Sequence, residues 1–562
     1  MKIKNKKILL YSLLTLAILS FEILFCNNAF VYNLLHRNNP QYIFSFARIG
    51  LYIIFYVLCY LSSKKIIKNR EIYESEEHKY KKLIDVCLII CFVGAILVNI
   101  LYIVLNRTSI MSEGLIIILL CYISFIYFFH GKNYKINLIL LLSISFVYSL
   151  VVTPNHAIDE KIHFDSAYNL AHTFDKKCNI ISSNSIDRIP LNSGFNRNNL
   201  NFIHYDKNDV LCNDDVMISD ASKYLYIPSM LGIMFSESLN GTIMDTFYIG
   251  RMFNAIGFIL LSILLLKIIP FKLNAFTAVL MTPYLILLSS TYSVDGYGFL
   301  LISIFVAYIL KLYRSSNKYL TKKEILFVIL SALSILLFKG GSYFFIYLLL
   351  LLLIKKVPKK YKWLVVVGTL LLMALACLKI VLPTNLDSGD ERGGDTNMGE
   401  QLKFLFSSPL VFIKVYGYHF LNCFFNFGYY YGFYGEYFYP FVSKYLLIPY
   451  ILLMLYFAFE SDDQKLKIFE KIIFIIVSLL IFFFTSTALY LSFTEVGSLH
   501  IEGYQSRYIY PMLPMLFMCI ANKFVLIKKS KDHEDFNFFL ILGLEMVFIF
   551  IIVFAQTYEY WI

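Results

Sequence analysis

Long apolar blocks govern what this chain can become. Ile8 to Phe25 and residues 136–152 are representative, each seventeen or more residues with almost no charge. A block of that length is long enough, as an α-helix, to cross a hydrocarbon layer of roughly 30 Å. Inside lipid the backbone must pair its own N–H and C=O groups, so such blocks are helices. Composition agrees: only 16% of the 562 residues are charged and 59% are hydrophobic, whereas soluble domains carry about 25% charged residues. The expected fold is an all-α polytopic membrane protein. Its net charge of +12 is then expected as a cytoplasmic excess of Lys and Arg and not as a nucleic-acid surface.

The links between blocks set the expected topology. Spans are predicted near 8–28, 42–62, 84–105, 114–130 and 136–152. The link at 63–82 carries Lys64, Lys65, Lys68, Arg70, Lys79, Lys81 and Lys82, and that at 131–135 carries Lys132 and Lys135. The alternate links hold little more than Arg37 and Arg107, which predicts a cytoplasmic N-terminus and an outer position for Pro154. Phe25-Cys26-Asn27-Asn28 offers no small-residue cleavage site, so the first block reads as an uncleaved span. Later spans are predicted near 246–268, 273–291, 296–313, 323–338, 341–355, 361–382, 443–458, 468–490, 508–526 and 536–556, about fifteen in all (13–16). Residues 222–240 are apolar but short, and an interfacial or re-entrant helix there keeps every later basic link on one side.

This divides the chain into a four-helix extension (1–135), a core (136–526) with outer loops at 153–245 and 383–442, and a last span within 527–562. No fixed-period repeat and no phosphate-binding glycine loop occurs. The ten cysteines form no C-x-x-C; Cys178 and Cys212 share a polar loop, as a disulfide if it is extracytoplasmic or as two thiols.

Ionisable residues at a membrane are costly, about 2.5–3.5 kcal/mol each near mid-bilayer. The costly ones here converge on the outer side. On a helix after Pro154, Asp159, Glu160 and His163 share one face. Arg251 lies one turn into a span, Asp295 and Lys339 occupy outer turns, and Arg507 starts a span from outside. Singly, each has a structural reading as a snorkelling cation or a helix cap. Jointly they predict an outer cavity with cations for an anionic substrate and carboxylates for proton abstraction. The sequence assigns no cofactor outright. A divalent cation is the one candidate, held by His156, Glu160 and His163 at i, i+4, i+7, or by Asp159 or Glu160 with the acids Asp387, Asp390, Glu391, Asp395 and Glu400.

Asp159-Glu160-Lys-Ile-His163-Phe164 resembles the Pro-Asp-Glu, two residues, His-Phe signature of the membrane proteins called domain of unknown function 2142. Tyr226-Ile-Pro228, Gly250-Arg251 with Asn254, Ser293-Val-Asp295, Lys339 with Tyr343, Gly428 to Pro440 and Gln505-Ser-Arg507-Tyr508 with Pro511 and Pro514 are similar to its later blocks, in order, over about 136–526. Two departures stand out: Pro154 is separated from Asp159 by four residues, and Ser506 replaces a glycine.

The resemblance extends to C-type (GT-C) glycosyltransferases and implies a GT-C-like bundle in the bacterial cytoplasmic membrane. It implies a polyprenyl-phosphate-linked sugar as donor, and a glycan, a teichoic-acid-like polymer or a lipid as acceptor. Asp159 or Glu160 would be the base, tuned by His163. Arg507, with Arg251 or Lys339, would hold phosphate beside Asp295, Gln505 and Tyr508. Two rivals belong to other classes: a flippase of lipid-linked glycans, for which Glu545 is the one mid-span acid that stands out, and a non-catalytic scaffold.

Overall fold

The computed structural model describes residues 133–152, 157, 159–172, 180–182, 210–212, 220–239, 243–271, 273–381, 389, 394–425 and 466–520, with positions 126, 534, 538, 541–543 and 545. The expected spans 8–28, 42–62, 84–105, 114–130, 443–458 and 536–556 lie wholly or mostly outside these residues. So do Cys178 and the aromatic stretch 427–439.

Helices dominate. The first apolar run is α1 (Tyr134–Leu142) followed by α2 (Ile144–Val151), with Asn133 capping α1 by accepting from the Lys135 and Ile136 amides. Next comes α3 (Glu160–His172), and after it one antiparallel strand pair, β1 (Ile180–Ser182) and β2 (Val210–Cys212), with Ile180 opposite Cys212.

A 3₁₀ segment (Asp220–Tyr226) leads into α4 (Ile227–Ser238), which folds back onto α5 (Ile243–Ile268). At twelve residues α4 is about 18 Å long, too short to span. That fits the re-entrant or interfacial helix expected at 222–240. Its inner side is mostly small, with Ser229, Gly232 and Ser236 buried beside Ile233, while Ile227, Leu231, Met234 and Phe235 face outward. Polar-in, apolar-out is the pattern for a helix whose solvent is lipid.

Among the described residues, four helices are long and apolar enough to cross a membrane: α5, α8 (Asp295–Arg314), α10 (Lys362–Val381, with the preceding turn) and α13 (Ile468–Ser492). The span expected at 273–291 is broken. It consists of α6 (Leu273–Leu280) and α7 (Pro283–Ser290), bent by 60°. Pro283 cannot donate to the preceding turn, and Thr282 caps the new helix by accepting from the Leu285 amide.

The elements at the expected spans 323–338 and 341–355 are short. α9 (Lys322–Ile335) has 14 residues, and Phe344–Lys356 is a 13-residue 3₁₀ run. At about 2.0 Å per residue that run reaches roughly 26 Å, where an α-helix of equal length would reach about 20 Å.

The outer loop expected at 383–442 is a loop only in part. Within it lie α11 (Met398–Ser407) and α12 (Pro409–Phe425), bent by 107°. Asn397 caps α11 by accepting from the Glu400 amide, and Pro409 restarts the chain as α12. The last described helix, α14 (Leu513–Ile520), follows two 3₁₀ turns at Ser506–Tyr508 and Tyr510–Met512.

The bundle has two distinct ends. α8 is 20 residues long, about 30 Å, from Asp295 to Arg314. At its C-terminal end Arg314 pairs with Glu470 at the start of α13, and the Lys356 ammonium donates to the Ser315 and Asn317 carbonyls. The basic residues Lys311, Lys318, Lys322 and Lys355 share that end, and Asp295 marks the other.

Close helix packing makes a first test. A Cβ at Gly250 would lie 2.0 Å from the Tyr292 hydroxyl, whereas one at Gly368 on α10 would meet nothing within 4 Å. Gly250→Ala is expected to destabilise the bundle by about 1–3 kcal/mol. Gly368→Ala is expected to leave thermal stability in detergent unchanged or slightly raised.

Candidate functional site

At the Asp295 end, the first turn of α3 meets α5 through a buried ion pair. Arg251 donates from Nε to Glu160 Oε1 at 2.7 Å and from Nη2 to Oε2 at 2.6 Å, and both side chains are 0% exposed. Its remaining nitrogen donates to the Val152 and Ser149 carbonyls at 2.5 and 3.4 Å. Those are open carbonyls at the C-terminal end of α2. The guanidinium carbon lies 4.7 Å from the Phe247 ring centre. Arg251 thus joins three helices and has no nitrogen left over. Glu160 and Arg251, expected as base and phosphate ligand, are committed to each other.

A second set of charges, in contact with solvent, lies next to that pair. Arg507 Nη2 donates to Asp159 Oδ2 at 3.0 Å, and its Nε lies 3.3 Å from Asp295 Oδ2. The other Asp295 oxygen is 2.6 Å from the Lys339 ammonium, which sits 4.2 Å from the Tyr508 ring centre. Asp295 stands in the first turn of α8, where the helix dipole favours an acid, and the Ser293 hydroxyl donates to it at 3.2 Å. The chain of charges runs Asp159, Arg507, Asp295, Lys339, alternating in sign.

Backbone strain is concentrated here. Among the described residues, Asp159 (φ 56°) and Lys339 (φ 43°) are the non-glycine residues with positive φ, and both belong to this chain of charges. Each such conformation costs on the order of 1–3 kcal/mol and persists where its surroundings hold it. The Arg251–Glu160 pair on the next residue supplies that hold for Asp159, and the pair with Asp295 and a bond from the Lys339 amide to Ser222 Oγ supply it for Lys339.

His163, one turn along α3 from Asp159, shares a 2.5 Å hydrogen bond between Nδ1 and the Tyr226 hydroxyl. Burial, and then the positive charge of Arg507, lower its pKa from 6.5 to about 4. It is a neutral imidazole at pH 7.

Beside these charges, buried polar atoms are left without a hydrogen-bond partner. Arg507 is 5% exposed, and its buried Nη1 has no acceptor. Gln505 Oε1, two residues before, is also buried with no donor. No group of three His, Cys, Asp or Glu suited to a metal occurs among the described residues. Of the predicted cation ligands, His156, Asp387, Asp390 and Glu391 lie outside them.

The structure therefore joins Asp159, His163, Asp295, Lys339, Arg507 and Tyr508, leaves Gln505 open at the side, and sets Glu160 with Arg251 apart. Sequence reasoning passed over two contributors. Tyr226 stood in a recognisable block, Tyr226-Ile-Pro228, while Ser222 carries no signal beyond its neighbours.

A family model described as a predicted membrane protein (DUF2142) matches residues 140–516. The chain belongs to this family. Every residue of the site falls inside the match. No curated protein and no solved structure matches the chain.

Two outcomes separate the two charge sets. Glu160→Gln leaves Arg251 buried and uncompensated, so it should cost about 3–5 kcal/mol and appear as lost expression or thermal stability. Asp159→Asn should fold normally, since asparagine tolerates positive φ as aspartate does.

The histidine gives a pH test. With a folded pKa of about 4 against 6.5, the unfolded chain binds the proton first as pH falls. Stability should therefore decline between pH 6.5 and about 4. His163→Gln, which does not titrate, should flatten that part of a thermal-stability profile.

Proposed function

We propose that the chain is an inverting glycosyltransferase of the GT-C type, taking a sugar from a polyprenyl-phosphate donor. The acceptor is a hydroxyl of a cell-envelope glycan, a teichoic-acid-like polymer or a lipid. On this reading the Asp295 end of the bundle is the outer face of the bacterial cytoplasmic membrane, opposite the basic end.

The observation that carries the reading is a buried guanidinium nitrogen without an acceptor beside an accessible carboxylate. Arg507 Nη1 is the open donor, and Asp159, 33% exposed, is the carboxylate. A phosphate oxygen suits the first and an acceptor hydroxyl the second.

In the proposed step Asp159 takes the acceptor proton as that oxygen attacks the anomeric carbon. The bond from carbon to phosphate oxygen breaks, and the electron pair leaves with the polyprenyl phosphate. The diester gains one negative charge while Asp159 loses one, so the total charge of the site is constant. Arg507 and Lys339 sit where the new phosphate charge would develop. Neutral His163 adds no competing charge and steadies the first turn of α3 through Tyr226. Asp295 holds both cations in place and does not react. Glu160 and Arg251 have no chemical part; they fix the helix that carries Asp159.

A flippase draws support from Glu545, buried with its carboxylate 3.3 Å from the Tyr148 hydroxyl. The two readings separate in one assay, because transfer by purified protein in nanodiscs needs no second compartment.

Asp159→Asn is expected to lower transfer from a defined polyprenyl-phosphate sugar on the order of 10²–10⁴-fold. Arg507→Lys is expected to impair it strongly, since an ammonium cannot serve Asp159, Asp295 and a phosphate with one planar fork. Wild-type turnover in both variants would take Asp159 and Arg507 out of the reaction, and an absence of transfer by the unaltered protein would leave the flippase or scaffold reading.

A further inference from the structure

The elbow between α11 and α12 stands apart from the site. No large hydrophobic residue among the described ones is more exposed than Phe406 and Leu410, each 81% exposed on either side of the bend. Ile413 continues the apolar tip, and exposed Lys403 and Lys414 flank it.

The depth of the elbow follows from its partners. Gln401 on α11 is buried and accepts from the Gly497 amide at 2.7 Å, just past the end of α13. On α12, the Tyr416 hydroxyl donates to Thr487 at 2.8 Å, and His419 stacks on Phe482 at 5.5 Å. Successive residues of α12 thus meet earlier residues of α13, so α12 runs down the span from its end inward. α13 has 25 residues, about 37 Å of helix against a hydrocarbon layer of roughly 30 Å. The elbow is thus level with the C-terminal end of α13, where a helix of that length would emerge from the hydrocarbon.

We propose that this elbow is a membrane-inserted wedge, with α11 lying in the interface of the leaflet on the site's side. Phe406, Leu410 and Ile413 enter the acyl chains, and Lys403 and Lys414 reach back to headgroup phosphates. Three features select lipid as the occupant: the apolar tip is bordered by lysines long enough to snorkel, it adjoins a spanning helix, and it sits at interfacial depth. The sharp bend lets one helix lie in the plane while its successor descends. The proposal stands whether or not the chain is a transferase.

Tryptophan fluorescence in the full-length protein tests it. Trp363→Phe and Trp561→Phe remove the native emitters, and Phe406→Trp or Leu410→Trp then reports from the elbow. The protein is reconstituted in phosphatidylcholine–phosphatidylglycerol vesicles with or without bromine on the acyl chains. Leu370→Trp, on the outward side of the span α10, serves as the lipid-facing reference. The expected result is a loss of emission in brominated vesicles comparable to the reference, with little quenching by aqueous iodide. Quenching by iodide alone would overturn the proposal by placing the elbow in water. Protection from both quenchers would also overturn it, because a second copy or another part of the chain would then cover the tip. Two positions are used so that one misfolded variant does not leave the question open.

Discussion

A guanidinium removed from water inside a membrane protein has to find its whole complement of acceptors, and Arg251 does. Two oxygens come from Glu160 and the others from backbone carbonyls at the end of α2. Those acceptors belong to different helices, so satisfying one side chain fixes where α2, α3 and α5 meet. Asp159 is the residue before Glu160. Its position, and its unusual backbone, are therefore inherited from a contact in which it takes no part. The pair is costly to desolvate and costlier to break, which makes it a device for placement more than a source of stability.

The neighbouring charges follow a different rule. Asp159, Arg507, Asp295 and Lys339 are each met by an opposite charge, yet the pairing is incomplete. Arg507 has no acceptor for Nη1 and only a long ion-pair contact for Nε, and Asp159 and Lys339 reach solvent. A purely structural network would be expected to close, because an unmet buried donor costs about 1–3 kcal/mol. The two left-handed residues in this chain of charges point the same way, since strain kept at a site is seldom kept for stability.

Much of this was legible in the sequence. Apolar length alone located α5, α8, α10 and α13, and the cost of charge near lipid singled out every member of the network. The separation of Glu160 from Asp159 was not legible. Two adjacent acids read alike until it is known which one turns inward, and a positive φ at Asp159 decides that. The elbow was hidden for another reason. Residues 398–425 mix lysines and polar groups with apolar ones, and hydropathy over a straight window cannot register a bend of 107°. The break in 273–291 was signalled by Pro283, but its 60° angle depends on packing.

The 3₁₀ run Phe344–Lys356 works as a ruler. One end adjoins the turn that presents Lys339 to Asp295; at the other, Lys356 grips the carbonyls of Ser315 and Asn317. Both anchors belong to the two ends of α8, so the run has to match the length of that helix. Wound as an α-helix, its 13 residues would be shorter by about 6 Å, and both grips could not be kept. Threefold winding also sorts its side chains into stripes: Phe345, Leu348, Leu351 and Ile354 form the least buried one, and the other two face the bundle. Adding a single residue would rotate everything beyond it by a third of a turn, exchange one stripe for another, and shift the Lys339 turn along the membrane normal. The gauge of the site at one face of the bundle is set by how tightly a plain apolar segment is coiled.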